Sequence, residues 1–176
     1  MKYSLFVITT LLLTVPSMTL LAEEEVEKAP SFSQKSMNNK TVCLDSLLGN
    51  YIIIDFWAIY CKSCVEGLDA MKPLFNTYKD SGLIFLAINE DGPRNISRVP
   101  AFVKGHKWEY TILYDSNQEV QHLLGIQVIP ETFILDKEGN IIFQHRGYKK
   151  GEEKIIKEKL EELFPEKTDN EGKEPD

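Results

Sequence analysis

Cysteine and histidine are scarce in this chain, with three of each in 176 residues. Three cysteines cannot build a stabilising disulfide framework without leaving one over, so cysteine serves chemistry here rather than stapling. Zinc normally takes four ligands. Neither a second CxxC nor a paired-His motif completes such a set, and no spacing joins His106, His122 and His145. No metal and no cofactor is expected. A basic excess is missing too: Lys and Arg number 20 against 27 Asp and Glu, a formal charge of −7. That balance argues against nucleic acid and anionic membrane as partners. There is no internal repeat, and the length suits one domain with a real core rather than two.

Charge is absent from Tyr3 to Ala22, a run of Leu, Ile, Val and Phe preceded by Lys2. Residues 1–22 read as a secretory signal peptide, with Ala22 suited to the position before cleavage. The run is also long enough for an uncleaved membrane anchor; Pro16 and the hydroxyls of Thr9, Thr10, Thr14, Ser17 and Thr19 weigh against that. Both readings export the domain. Cleavage would remove one Lys and no acid, leaving the mature chain more acidic still. Residues 23–28 (Glu-Glu-Glu-Val-Glu-Lys) read as an acidic, solvated linker. Residues 29–163 form the domain, and 164–176 a disordered tail, mostly Pro, Gly and charge without apolar periodicity from Pro165 onward.

Within the domain, Thr41-Val42-Cys43-Leu44 is a short strand candidate after the turn signal Asn38-Asn39-Lys40. Tyr51 to Trp57 is an apolar, β-branched run, the mark of a central strand buried on both faces. Cys61 to Lys79 reads as a long helix and Leu83 to Ile88 as a second buried strand, giving a βαβ unit. A helix over Ser97–Gly105, a strand over Tyr110–Leu113 and a helix over Asn117–Leu124 stopped by Gly125 follow. Thr132–Leu135 and Ile141–Gln144 pair around Asp136-Lys137-Glu138-Gly139-Asn140, and Gly151–Leu163 is the last helix.

Cys61-Lys62-Ser63-Cys64 sits where the central strand gives way to the long helix. Two cysteines separated by two residues can close a small disulfide ring and reopen it. At a helix start, unpaired N–H groups and the macrodipole favour the thiolate of the first cysteine, and Lys62 pushes the same way. Val65, not His, follows Cys64, which excludes covalent haem attachment. The whole segment Asp55-Phe56-Trp57-Ala58 to Cys64 resembles the active-site segment of thioredoxins. Together with Gly125-Ile126-Gln127-Val128-Ile129-Pro130 and the spacing between the two, residues 29–163 look like a thioredoxin-fold protein of the exported TlpA/ResA type.

That resemblance implies an α/β thioredoxin fold, a central mixed β-sheet flanked by helices, with an N-terminal strand extension over residues 39–44. It implies a thiol–disulfide oxidoreductase with protein thiol or disulfide substrates and a membrane electron-donor protein. The implied location is the periplasm or the extracytoplasmic face of a bacterial membrane. Cys61 is the candidate nucleophile, and Cys64, one turn further in, the thiol that resolves the mixed disulfide. Asp55 should be buried with a raised pKa, either passing protons to and from Cys64 or held by a polar partner. Pro130 resembles the family's cis-proline beside the disulfide, and Ile129 before it offers backbone groups to an extended substrate. Trp57 and Tyr60 flank the site and either contact substrate or pack. Gly147 matches the family glycine that admits a partner closely.

Some positions depart from the exported pattern. Gly67 and Asp69 stand where relatives often carry Glu and Pro, Glu66 is one place out of register, Ser63 replaces a common proline, and Pro73 lies a turn late. Cys43 reads as a buried strand residue rather than a resolving thiol. Three functions compete: a reductant of protein disulfides such as those of apocytochrome c, an oxidant or isomerase, and a binding module whose disulfide is structural. Peroxidase chemistry lacks the threonine expected ahead of a peroxidatic cysteine.

Overall fold

A computed structural model describes residues 27–165. The signal or anchor segment 1–22, most of the acidic linker and residues 166–176 lie outside the described residues. The chain forms strands β1 (Ser33–Lys35), β2 (Thr41–Cys43) and β3 (Tyr51–Trp57), then helix α1 (Lys62–Tyr78). Strand β4 (Leu83–Asn89), helix α2 (Val99–His106), strand β5 (Thr111–Tyr114) and helix α3 (Glu119–Leu123) follow. Strands β6 (Glu131–Leu135) and β7 (Ile141–Arg146) and helix α4 (Glu153–Leu163) complete it. The main sheet has the order β5-β4-β3-β6-β7, parallel among β5, β4 and β3 and antiparallel from β3 through β6 to β7.

Strand β3 is central because its sequence can be buried on both faces. Alternation sends Ile53 and Trp57 toward a core built with Leu68 and Met71 of α1, Val103 of α2 and Leu160 of α4. It sends Ile52, Ile54 and Phe56 the other way, against Phe32, Leu44, Val120 and Ile126. Burying each such side chain contributes about 1.5–3 kcal/mol. Asp55 shares the α1 side of the strand with Ile53 and Trp57, so the period of two alone carries a carboxyl into the main core.

Strand β1 is absent from the sequence pattern, since three polar residues give no apolar alternation. It forms by pairing antiparallel with β2, Ser33 opposite Cys43. Just beyond it, Ser36 bridges Leu113 and the Met37 N–H donates to the Ile112 carbonyl, covering the open edge of β5. The expectation that Cys43 is buried is not met. On this peripheral hairpin it is a half-exposed free thiol. At the other end, Phe164 packs edge-on to Tyr51 and against Tyr78, so ordered packing continues one residue past α4.

Asp69, where relatives often carry proline, ties α1 to the segment after α2. Its carboxylate accepts from the Trp108 indole at 2.8 Å, the His106 ring at 2.9 Å and Lys72 Nζ at 3.0 Å. Partial burial raises its pKa, but the bonds from Trp108, Lys72 and His106 outweigh that and hold the carboxyl below its ordinary range. A depressed pKa stabilises the fold above the unfolded value of about 3.9 and is lost as pH falls through the folded value. Asp69→Ala should therefore cost about 1–2 kcal/mol at pH 6, mostly through the stranded indole, the exposed Lys72 pair being screened. Thermal unfolding at pH 6 and pH 3 should show the gap narrowing in acid; an equal gap at both would refute the assignment.

Candidate active site

The end of β3 delivers the chain to a three-residue turn, Ala58-Ile59-Tyr60, and then to Cys61 at the N-cap of α1. Two contacts fix that turn. The Cys61 N–H donates to the Ala58 carbonyl at 3.0 Å, and the Ile59 N–H donates to Asp91 Oδ2 at 2.8 Å. Asp91 is itself held by the Asn89 side-chain amide at 2.8 Å.

Cys61 and Cys64 are joined, with an S–S distance of 2.06 Å and Cα atoms 5.3 Å apart. The two sulfurs are not equivalent. Cys61 is part-exposed, whereas Cys64 is only 1% exposed. The Cys64 N–H donates to Cys61 Sγ at 3.2 Å, so a free donor of the first helical turn already points at the outer sulfur. The same donor would stabilise a Cys61 thiolate. Lys62 is almost fully solvated and pairs with Glu66 at 3.6 Å, which divides its field between solvent, a carboxylate and the nearby sulfur.

Behind Cys64 lies Asp55, 1% exposed. Its Oδ2 accepts a 2.6 Å bond from the Thr132 hydroxyl, the polar partner that sequence alone could not locate. Its Oδ1 is buried without a partner. Burial pushes its pKa up to about 7, the Thr132 bond opposing. Asp55 and Cys64 line one small cavity of about 10 Å³, room for roughly one water molecule. A carboxyl that changes charge near neutrality thus sits beside the inner sulfur.

The Ile129–Pro130 bond is cis, and Pro130 lines the same cavity. Gly147, at a φ of 80° that favours glycine, donates its N–H to the Pro130 carbonyl at 2.8 Å. Ile129 is half-buried, touching both cores, while Val128 and Tyr60 stand out at 72% and 68% exposure. Tyr60 therefore lies on the surface next to Cys61. Trp57 does not. It is fully buried, stacked on Phe102 and edge-on to Trp108, so its placement among substrate-contacting residues is corrected to packing. The cause is strand alternation: Trp57 still belongs to β3 and follows Ile53 into the core.

Sequence reasoning missed two carboxylates. Glu131, following the cis-proline, is 1% exposed and accepts from Arg146 Nε at 2.8 Å and from the Gln144 amide. It clamps the proline loop to β7. Glu90 is buried beside the Ile59 turn, its N–H donating to the Trp57 carbonyl. Burial, then the charge of Asp115, pushes its pKa up to about 7. The only signal in the sequence was the acid pair Glu90-Asp91 directly after an apolar strand, which equally suits an exposed loop. No group of side chains suited to a metal ion occurs among the described residues.

The family model for the AhpC/TSA family matches residues 26–144. The thiol-disulfide oxidoreductase ResA of Bacillus thuringiensis subsp. konkukian is 27% identical over 146 residues, 81% of this chain and 82% of that protein. A Chlorobium tepidum protein assigned as a thiol:disulfide interchange protein DsbE superposes with a TM-score of 0.71 at 25% identity. That alignment covers 76% of this chain and 93% of the other. A thioredoxin-like protein from Porphyromonas gingivalis is 32% identical with a TM-score of 0.66, covering 80% and 95%.

The raised pKa of Asp55 makes a stability prediction with a definite sign. The folded state binds the proton more tightly than the unfolded state, so this group's cost is absent below about pH 4. It grows as pH rises toward the folded value of about 7 and is constant above it. Asp55→Asn should therefore be near neutral at pH 4 and more stable than the parent by about 4 kcal/mol at pH 8. Urea unfolding at both pH values checks this; no gain at pH 8 would mean the carboxylate is comfortable in its site.

Proposed function

The chain belongs to the AhpC/TSA family, and we propose that it is an exported thiol–disulfide oxidoreductase whose work is to reduce disulfides in proteins of the bacterial envelope. The enzyme class is thiol–disulfide oxidoreductase with a thioredoxin fold. The observation that carries the reading is the inequivalence of the two sulfurs: an accessible Cys61 under a helical N–H donor, and a buried Cys64 beside a neutral-range carboxyl.

In the reductive direction, Cys61 thiolate attacks one sulfur of a substrate disulfide. One substrate sulfur leaves as a thiolate and takes a proton, and the other stays bonded to Cys61. Asp55, as the carboxylate, then accepts the Cys64 proton. Cys64 attacks Cys61 Sγ, forming the Cys61–Cys64 bond and releasing the second substrate thiolate. Two electrons pass to the substrate and the enzyme is left as the disulfide. A membrane electron-donor protein on the same side of the membrane would return it to the dithiol.

Substrate recognition falls to the surface around Cys61, with the exposed Tyr60 next to it in the chain and the backbone at Ile129 and cis-Pro130, the proline lining the cavity that Cys64 also lines. Gly147 lets a bound chain come close beside the proline loop. The cysteine pair of an apocytochrome c, which must be reduced before haem attachment, is a substrate of the right kind. Export rests on the uncharged run Tyr3–Ala22 after Lys2, cleaved or kept as an anchor; no helix among the described residues is long and apolar enough to cross a membrane.

Cys61→Ser should abolish insulin disulfide reduction, and Cys64→Ser should accumulate mixed disulfides through Cys61. Trapping through Cys64 would reverse the roles. Direction is read from the potential. A thiolate held by the Cys64 N–H, a long 3.5 Å contact with the Ser63 hydroxyl and a solvated lysine gains little, which places the couple toward the thioredoxin value of about −270 mV and away from the strong-oxidant value of about −120 mV. Equilibration with glutathione and dithiothreitol buffers measures it; a potential above about −160 mV would refute the reductant reading.

A further inference from the structure

The proton that Asp55 takes from Cys64 needs a way out, because Asp55 has almost no exposed surface. Resting on the reductant reading above, we infer that His145 and Glu152 form the outer end of a proton path from Asp55 to solvent. The sheet register lays the path out. Asp55 pairs with Thr132 across β3 and β6, and Thr132 pairs with His145 across β6 and β7. The three side chains therefore occupy one row on the sheet face that α1 and α4 cover.

Four further observations point the same way. The Thr132 hydroxyl donates to Asp55 Oδ2, which occupies that oxygen and leaves Oδ1 as the free face of the carboxyl. His145 and Glu152 line the same water-sized cavity as Asp55 and Cys64, whose walls are otherwise largely apolar or glycine. His145 Nε2 lies 3.3 Å from Glu152 Oε2, with the two side chains 24% and 31% exposed, so the pair reaches from the cavity to solvent. Glu152 also accepts the Lys149 N–H at 2.7 Å, which together with His145 favours its charged form and fixes an acceptor against the ring.

The groups that face Asp55 include Cys64 on α1, Tyr110 ahead of β5, His145 on β7, and Tyr148, Glu152 and Glu153 at the head of α4. Tyr110 donates its hydroxyl to the Leu68 carbonyl, and Tyr148 donates to Glu153 Oε2 at 2.7 Å, so both phenols are engaged elsewhere. His145 is left as the cavity-lining side chain whose two ring nitrogens can receive a proton on one side and pass it on at the other. The balance is simple. When Cys64 closes the disulfide its proton moves to Asp55, then through one water to a ring nitrogen of His145, and from there to bulk. The departing substrate thiolate takes its own proton from solvent. His145 and Glu152 touch no reacting sulfur and act as positioning and relay residues.

The test is the oxidation of the reduced full chain by oxidised glutathione, followed by stopped-flow tryptophan fluorescence from pH 5.5 to 9. The phase in which Cys64 resolves the glutathione mixed disulfide should slow by about tenfold near pH 7 in His145→Gln, less than the roughly 10²–10⁴-fold of a direct general acid or base because His145 acts one step removed from the sulfur. Added imidazole should restore part of it, and Glu152→Gln should slow the same phase by a smaller factor, since the ring loses the carboxylate that positions it. Thermal unfolding of both variants separates these effects from loss of fold. A slow Asp55→Asn beside a His145→Gln variant with the parent rate and pH profile would overturn the relay alone. Parent behaviour in both would also remove Asp55 from the proton path, and a parent chain that reduces no disulfide would fell the functional reading itself.

Discussion

A carboxyl group sealed into the middle of an apolar strand is the constraint on which this protein turns. Ile52-Ile53-Ile54-Asp55-Phe56-Trp57 must be the central strand, because no other position in a five-stranded sheet can use so continuous a run. Centrality then leaves Asp55 with no solvent and one hydrogen bond. The cost of ionising it, about 4 kcal/mol above neutrality, is a sizeable part of the 5–15 kcal/mol that holds a domain of this size together. A fold that tolerates such a cost carries it beside the inner sulfur of the disulfide, where a reversible proton is useful.

The rest of the site follows from where that strand ends. Its last residues set the position of the Ile59 turn, which Asp91 grips through a backbone bond, and the turn sets Cys61 at the cap of α1. On the other side, β6 pairs with β3 and begins directly after the cis-proline, so Pro130 and Thr132 are brought to the disulfide and to Asp55 by a single register. Glu131 faces the opposite way and is tied to Arg146 and Gln144, which anchors the loop without intruding on the chemistry. Gly67 has a related role. A side chain there would meet the ring of Tyr148 at 3.1 Å, so the absence of the acid common in relatives allows Tyr148 to close over the cavity.

How much could be read from sequence depends on the range of the interaction. The β3–α1–β4 unit, the cysteine pair and the burial of Asp55 were legible, because each is a local pattern of apolar period and spacing. Strand β1 was not, since Ser33, Gln34 and Lys35 become a strand only by pairing with β2. Trp57 was open between substrate contact and packing for a similar reason: it lies close in sequence to Cys61, and only the strand's phase decides that it faces the core. Thr132, His145 and Glu131 lie more than seventy residues from Asp55 and reach it, or bracket it, through sheet register. Nothing local in the sequence marks them. Glu90 and Asp91 carry no local mark of burial, because acids directly after a strand usually lie in an exposed loop, and their burial depends on β5 and the chain beyond it.

The most direct test of this account is the titration of the Asp55 carboxyl carbon by nuclear magnetic resonance in the disulfide form, with Asp55→Asn to assign the signal. The account predicts a midpoint near 7, far above an ordinary aspartate and reached in the absence of any free thiol nearby. A midpoint near 4 would show that the carboxyl is ionised throughout the working range, and would contradict both its role as the acceptor of the Cys64 proton and the need for any path beyond it.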